Sequence, residues 1–110
     1  MNFLIDIRKR AGGGNAATAE EQEIINHLPQ SMDAGDRLYI LTSEQKISWL
    51  RPHPQSIVHY LKHSQNGLIH AYHDLVTIPA LVRKNSIGAM LLFHPGSAGK
   101  KKMRLFFFAG

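Results

Sequence analysis

Hydrophobic residues recur at every second position along the first segment of the chain, at Phe3, Ile5 and Ile7. This period is typical of a strand. The spacing of Phe3, Leu4 and Ile7 also fits one face of a helix that ends at the basic and glycine residues that follow. We interpret residues 2–10 as a strand and the glycine-rich stretch after it as a loop.

The next segment carries a helical start signal. Thr18 is followed three residues later by Glu21, the capping-box spacing in which each side chain hydrogen-bonds the backbone amide of the other residue. Acidic side chains in a first turn also interact favourably with the helix dipole. Ile25 and Leu28 supply an apolar side, and Pro29 ends the pattern. The sequence therefore predicts a helix from Thr18 to Leu28.

Two apolar runs follow, which we interpret as a β-hairpin. Residues 37–42 are rich in β-branched and aromatic side chains, which favours a strand. In residues 46–50, Ile47 and Trp49 alternate with polar neighbours, as in a half-buried strand. The intervening residues 43–45 suit a short hairpin connection.

The middle of the chain predicts two helices. The first runs from residue 55 or 56 to residue 63, and the second covers residues 68–77 and ends before Pro79. A short turn over residues 80–84 follows. The inward faces are predicted from apolar residues at helical spacing: Ile57, Val58, Leu61, Ala71, Tyr72 and Leu75.

The last part of the chain predicts a second hairpin, with strands over residues 87–93 and 103–108. The glycines at 96 and 99 are too close together for a phosphate-binding loop, so we interpret this segment as a turn. Consecutive aromatic residues at 106–108 cannot all point to one face of a strand. Either the fold covers both faces of this strand or a partner covers one of them. Homodimerisation through this segment is the hypothesis that follows from the second alternative.

The predicted order of elements is β-α-β-β-α-α-β-β, which indicates an α+β class. The order contains the β-α-β-β-α-β series of ferredoxin-like folds with an extra C-terminal strand. Sequence order does not determine which strands are neighbours, so it permits this fold without requiring it. A length of 110 residues fits a single small domain over residues 1–110.

Composition narrows the class of protein. The hydrophobic content of 44% argues against intrinsic disorder, and the absence of cysteine excludes disulfides and thiolate chemistry. The longest apolar run, residues 87–93, is far shorter than the roughly 20 residues that a membrane span needs. The charges near the N-terminus follow a very short apolar stretch, the reverse of a secretory signal. We therefore expect a cytoplasmic protein that does not associate with a membrane.

Charge is unevenly distributed along the chain. Residues 1–50 hold five basic and seven acidic residues, a net charge of −2, whereas residues 51–110 hold eight basic residues and one acidic residue, a net charge of +7. Six of the seven histidines also lie in the second half. This asymmetry indicates an anionic partner, unless folding brings the two halves together so that they neutralise each other.

The histidines suggest a metal site by their spacing. His59 and His63 are four residues apart and His70 and His73 three apart, which places each pair on one side of a predicted helix. Asp74 is adjacent to the second pair. Spacing alone is a weak signal, and no H-E-x-x-H motif is present. We therefore predict no metal and no cofactor.

Two further interpretations remain open. Residues 55–77 resemble two short helices that meet at a glycine, as in a helix-turn-helix, although the second helix lacks Arg and Lys. Alternatively, His53 and His94 could serve as acid and base in RNA cleavage, with arginine or lysine stabilising the charge on phosphorus.

We expect a small basic, non-enzymatic binding or regulatory protein whose anionic partner is nucleic acid, either DNA or RNA. The alternatives are an inhibitor or adaptor that docks on an acidic protein surface, and a histidine-dependent ribonuclease or metal-dependent enzyme. Phosphate contacts are predicted for eight basic residues of the second half of the chain: Arg51, Lys62, Arg83, Lys84, Lys100, Lys101, Lys102 and Arg104.

Overall fold

Two strands that are apolar on both faces form the centre of a sheet. The computed structural model describes residues 1–8, 18–62, 66–95 and 101–108. In it, β1 (Asn2–Asp6) and β2 (Arg37–Thr42) pair in parallel, with Leu4 opposite Tyr39 and Ile5 opposite Ile40. Burial on both faces explains why the apolar residues of these strands are nearly continuous.

Three more strands complete a five-stranded mixed sheet in the order β3-β2-β1-β4-β5. The strand β3 (Ser56–Tyr60) pairs in parallel with β2, and β4 (Ile87–Pro95) pairs in parallel with β1. The strand β5 (Lys101–Phe107) is antiparallel to β4 and forms one edge, whereas β3 forms the other. The predicted α+β class and the predicted C-terminal hairpin are therefore confirmed.

Helical segments lie on both faces of the sheet. On one side is α1 (Ala19–His27), which continues into a 3-10 turn (Leu28–Ser31). On the other side is a helical run of α2 (Gly67–Tyr72), a π-helical segment (His73–Thr77) and α3 (Ile78–Lys84). We call these sides of the sheet the α1 face and the α3 face.

The two faces follow from the handedness of the connections. The chain leaves β1 through α1 toward β2, and it returns from β3 through α3 to β4 on the opposite side of β1. Parallel crossovers are right-handed in nearly all proteins. Two crossovers that run in opposite directions across one sheet therefore place their helices on opposite faces.

The start of α1 is as predicted. The Glu21 backbone N–H donates to Thr18 Oγ1 at 3.3 Å, and the Thr18 backbone N–H donates to Glu21 Oε1 at 3.0 Å. This reciprocal pair is the capping box that the spacing predicted. The preference for a strand in the first segment is also confirmed, over Asn2–Asp6.

The predicted hairpin of residues 37–42 and 46–50 is wrong. Residues 46–50 form turns and irregular structure, and the partner of β2 is β3, in a parallel pairing. Ile47, Trp49 and Leu50 instead pack against the α1 face. Parallel strands need a long crossover connection. Residues 43–55 supply it and cover the sheet where a crossover helix would otherwise pack.

The predicted helix over residues 55–63 is also wrong, because Ser56–Tyr60 is the strand β3. Ile57 contributes to the α3 face, and Val58 pairs with Ile40 on the α1 face. The neighbouring apolar residues Ile57 and Val58 fit a helical period as well as a two-sided strand. The pairing with β2 decides between them, and that pairing is not local in sequence.

The second predicted helix exists but turns a different face to the sheet. Tyr72 and Leu75 were expected to point inward, yet they are 59% and 77% exposed. The contacts with the sheet come from Ile78, Leu81 and Val82 of α3, a segment predicted to be a turn. Proline does not end this helical run because it lies in the first turn of α3, directly after the π-helical segment, where a missing backbone N–H is best tolerated.

The ferredoxin-like arrangement is not confirmed. In that fold, another strand separates the two strands of each βαβ unit. Here β1 and β2 are direct parallel neighbours.

None of the helices in the described ranges is long and apolar enough to cross a bilayer.

Candidate nucleic-acid interface

Arg104, Phe106 and Phe108 occupy every second position along the edge strand β5 and the residue that follows it. The Phe108 backbone N–H donates to the Gly88 carbonyl at 3.0 Å, and Phe108 borders a groove beside Val82, which places its side chain on the α3 face. Side chains of a strand alternate between faces. Phe106 and Arg104 therefore also lie on the α3 face.

The exposure of these side chains shows that α3 does not cover them. Phe106 is 48% exposed and Phe108 is 40% exposed, and Arg104 is also exposed. On the neighbouring strand, Leu92 opposite Arg104 is 38% exposed. This part of the α3 face therefore presents aromatic rings and a guanidinium to solvent.

A groove of about 450 Å³ separates this strand pair from α3. Met90 and Phe108 line its sheet side, and Val82 and Arg83 line its helix side. The neighbouring Lys84 is exposed in the last turn of α3. We call Arg83, Arg104, Phe106 and Phe108 the basic–aromatic face.

Arg83, Lys84 and Arg104 have no acidic partner among the described residues. Every ion pair there involves other cations: the N-terminus, Arg8 and His27. Their charges are therefore not neutralised by the acidic first half of the chain. For these residues, folding therefore does not bring the acidic half of the chain close enough to neutralise the basic half.

Asp74, which also lines the groove, is itself paired. Asp74 Oδ1 accepts from Arg8 Nη2 at 2.8 Å. The same guanidinium donates through Nε and Nη2 to the two carboxylate oxygens of Asp6, at 2.9 and 2.8 Å. The hydrogen bonds with Asp6 raise the pKa of Arg8, against the opposing effect of burial, so Arg8 stays charged.

Other residues predicted to contact phosphate do not join this face. Arg51 lies in the β2–β3 connection, and Lys62 follows β3, so both belong to the opposite edge of the sheet. Four strand spacings of about 4.8 Å separate β3 from β5, roughly 19 Å in total. Lys101 and Lys102 begin β5, but their side chains and the whole of Lys100 lie outside the described residues.

The histidine side chains that the structure describes do not form a cluster. His59 lies on β3 with its ring 5.7 Å from the Tyr39 ring, and His73 Nδ1 is 3.1 Å from Thr77 Oγ1. His63 and the side chain of His70 lie outside the described residues. Within the described ranges, no group of three or more His, Asp or Glu side chains could hold a metal ion.

The fold matches neither the proposed pair of acid and base histidines nor the helix-turn-helix. His53 precedes β3 and His94 is near the carboxyl end of β4, at opposite ends of the parallel strands, so the fold does not bring them together. The helix-turn-helix over residues 55–77 is wrong, because its first half is the strand β3. The glycine-rich turn at 96–100 lies outside the described residues.

Two aromatic residues of the face were not among the predicted contacts. Phe106 and Phe108 were recognised as residues that need cover, and not as contacts to a ligand. The signal was present as the period-two spacing of Arg104, Phe106 and Phe108. Comparison of the chain with protein-family models, curated proteins and solved structures gave no match.

Proposed function

We propose that this protein binds single-stranded nucleic acid on the basic–aromatic face. The observation that carries the proposal is the placement of Arg104, Phe106 and Phe108 on one face of the exposed sheet edge, beside Arg83 of α3, which has no acidic partner among the described residues. Single-strand binding surfaces combine cations that follow the backbone with aromatic rings on which bases stack. Both components are present here within one surface.

The geometry suits a strand laid along β5. Alternate residues of an antiparallel strand are about 6.8 Å apart, which leaves room for one base on each exposed ring. Arg83 and Arg104 flank the rings and supply charge for the phosphates. Stacking and phosphate contacts carry little sequence information, so we expect weak sequence preference.

The cytoplasmic location expected from the sequence belongs to the same proposal.

The test is fluorescence anisotropy with labelled oligo-dT and oligo-U 20-mers and with a duplex of the same length, at low and near-physiological salt. We expect tighter binding of the single strands. Replacing Phe106 by Ala should weaken binding, because stacking of one base on an aromatic ring is worth about 1–3 kcal/mol.

Phe107 provides a matched control. It lies on the same strand and is 65% exposed, but its side chain points to the α1 face. Phe107→Ala, checked to have the wild-type molar mass, should bind the 20-mers as the wild type does. Equal losses in the two variants, or no binding at low salt, would contradict the proposal.

The same experiment separates the alternatives. Shortened RNA after incubation would favour a ribonuclease over a binding protein. Failure to bind any oligonucleotide, together with stoichiometric binding of an acidic protein, would favour the inhibitor or adaptor.

A second candidate role, homodimerisation through β5, rests on its open backbone edge. Because the Phe108 N–H points toward β4, the amides of Leu105 and Phe107 point away from it. A second copy of β5 could pair there in antiparallel orientation. Pairing centred on Phe106 places Leu105 opposite Phe107 and keeps the two Arg104 side chains apart, whereas pairing centred on Arg104 sets like charges face to face.

Light scattering tests this role. Phe107→Asp should convert a dimer into a monomer, because it places a charge within the paired strands. Leu68→Asp is the matched control, since Leu68 is 81% exposed on α2, away from this edge, and should leave the mass unchanged. A wild-type protein with the monomer mass at all concentrations would exclude the dimer without affecting the nucleic-acid proposal.

A further inference from the structure

A cavity of about 390 Å³ lies beside the other edge strand, β3, on the α1 face. Its polar lining includes Lys46, Arg51, His53 and Ser56, and no carboxylate of the described residues lines it. We call this space the β3 cavity. Its volume lies within the range of small-molecule sites.

The apolar part of the lining comes from two sources. Ile47 and Leu50 of the β2–β3 connection pack toward the sheet, and Val58 comes from β3 itself. Because Val58 pairs with Ile40 on the α1 face, its side chain lies beneath the connection. The β3 cavity thus joins an apolar floor to a basic rim, at the opposite edge and the opposite face from Phe106.

Side-chain amides hold the walls of the cavity in place. Asn26 on α1 donates to the Trp49 carbonyl at 3.0 Å and accepts from the Arg51 backbone N–H at 2.9 Å. Gln55 Nε2 donates to the carbonyls of Asp33 and Asp36, at 2.6 and 3.1 Å. The connection is therefore anchored on both sides of Arg51, which lowers the ordering cost of binding a ligand there.

The hydrogen bonds of His53 leave a donor at its other ring nitrogen. The Gln55 backbone N–H donates to His53 Nδ1 at 3.1 Å, so Nδ1 is an acceptor and the neutral ring carries its proton on Nε2. Lys46 and Arg51 have no acidic partner among the described residues. Cations and N–H donors thus predominate in the lining.

We propose that the β3 cavity binds a small phosphate monoester with an apolar body. Lys46 and Arg51 supply two positive charges for the phosphate dianion, and the Arg51 guanidinium can donate two parallel hydrogen bonds to it. Ile47, Leu50 and Val58 contact the apolar part. This site is independent of the basic–aromatic face.

The protein is titrated with phenyl phosphate, and binding is monitored through the NMR signals of the backbone amides and the histidine rings. Phenol and inorganic phosphate are titrated separately. We expect phenyl phosphate to shift the signals of Arg51, His53 and Ser56 in a saturable way. Phenol and inorganic phosphate should each bind more weakly, because each lacks one half of the recognition.

Arg51→Gln should weaken binding of phenyl phosphate by about tenfold or more, as expected for lost hydrogen bonds to a charged group. The Arg51 side chain is exposed, so this change should leave the fold intact. Lys62→Gln removes a cation that does not line the cavity and should not change the affinity. Equal affinities of wild type and Arg51→Gln, or signal shifts centred on Phe106, would overturn the proposal.

Discussion

Arg8 holds the end of β1 to the π-helical segment across the α3 face. Its side chain is 11% exposed and binds both Asp6 and Asp74, whose side chains are 20% and 59% exposed. Water can therefore replace the guanidinium more readily at Asp74 than at Asp6. Replacing the Arg8 side chain removes the guanidinium from the partly buried Asp6, which then keeps the hydrogen bond from the Arg8 backbone N–H, whereas removing the charge of Asp74 leaves a solvated position.

We predict that Arg8→Met lowers the free energy of unfolding by about 1.5–3 kcal/mol, because hydrogen bonds to a charged group are lost while the apolar stem remains. Asp74→Asn should lower it by less than about 1 kcal/mol, the usual value for an exposed pair. Urea unfolding followed by circular dichroism measures both. If the two variants lost stability equally, the pairing with Asp6 would not be the dominant contact.

At the scale of elements, α1 is specified by its own sequence. Its capping box was visible in the spacing of Thr18 and Glu21, and the structure contains both of its hydrogen bonds. Because these contacts are local, their energetic contribution is separable from the packing of Ile25 in the core.

Thr18→Ala should lower the free energy of unfolding by about 1 kcal/mol, the usual cost of losing an N-cap side chain. Glu21→Gln keeps an acceptor at the third helical position and should change stability by much less. Thermal unfolding of the two variants beside the wild type provides the comparison. A larger loss for Glu21→Gln would indicate that charge, not the hydrogen bond, stabilises this end of α1.

Elements that depend on distant partners were predicted less well. The run Ser56–Tyr60 fits either period because apolar residues are adjacent at Ile57 and Val58, and only parallel pairing with β2 makes it a strand. Residues 46–50 alternate like a strand, but Asn26 and the α1 face hold them as a loop. Parallel pairing requires a connection that crosses the sheet, so no local pattern reveals it.

The orientation of the long helical run shows the same limit. Apolar residues occur on more than one side of it, so spacing alone could not tell which side packs on the sheet. The structure selects Ile78, Leu81 and Val82, and leaves Leu68 and Leu75 largely exposed.

At the scale of the whole molecule, strand order decides which charges act together. The distribution of charge along the sequence indicated an excess of basic residues in the second half of the chain, and we predicted from it a single phosphate-binding surface. The order β3-β2-β1-β4-β5 places Arg51 and Lys62 at one side and Arg104 at the other. Strand order depends on long-range pairing, so the division into two basic regions could not be predicted from charge alone.

This division leads to a prediction about salt dependence. Each phosphate contact of a single strand contributes about 0.7 to the slope of log K against log salt concentration. Arg83→Gln and Arg104→Gln should each reduce the slope for oligo-dT by about that amount, because each removes one contact of the basic–aromatic face. Arg51→Gln should leave the slope unchanged.

Anisotropy titrations at four or more salt concentrations, with wild type and the three variants side by side, give these slopes. All three variants carry the same change in net charge, so a general electrostatic effect would reduce the three slopes equally. A local interface reduces two of them and spares the third. Equal reductions would mean that the strand is attracted by total charge, and that the arrangement of Arg83 and Arg104 beside the aromatic rings has no special role in binding.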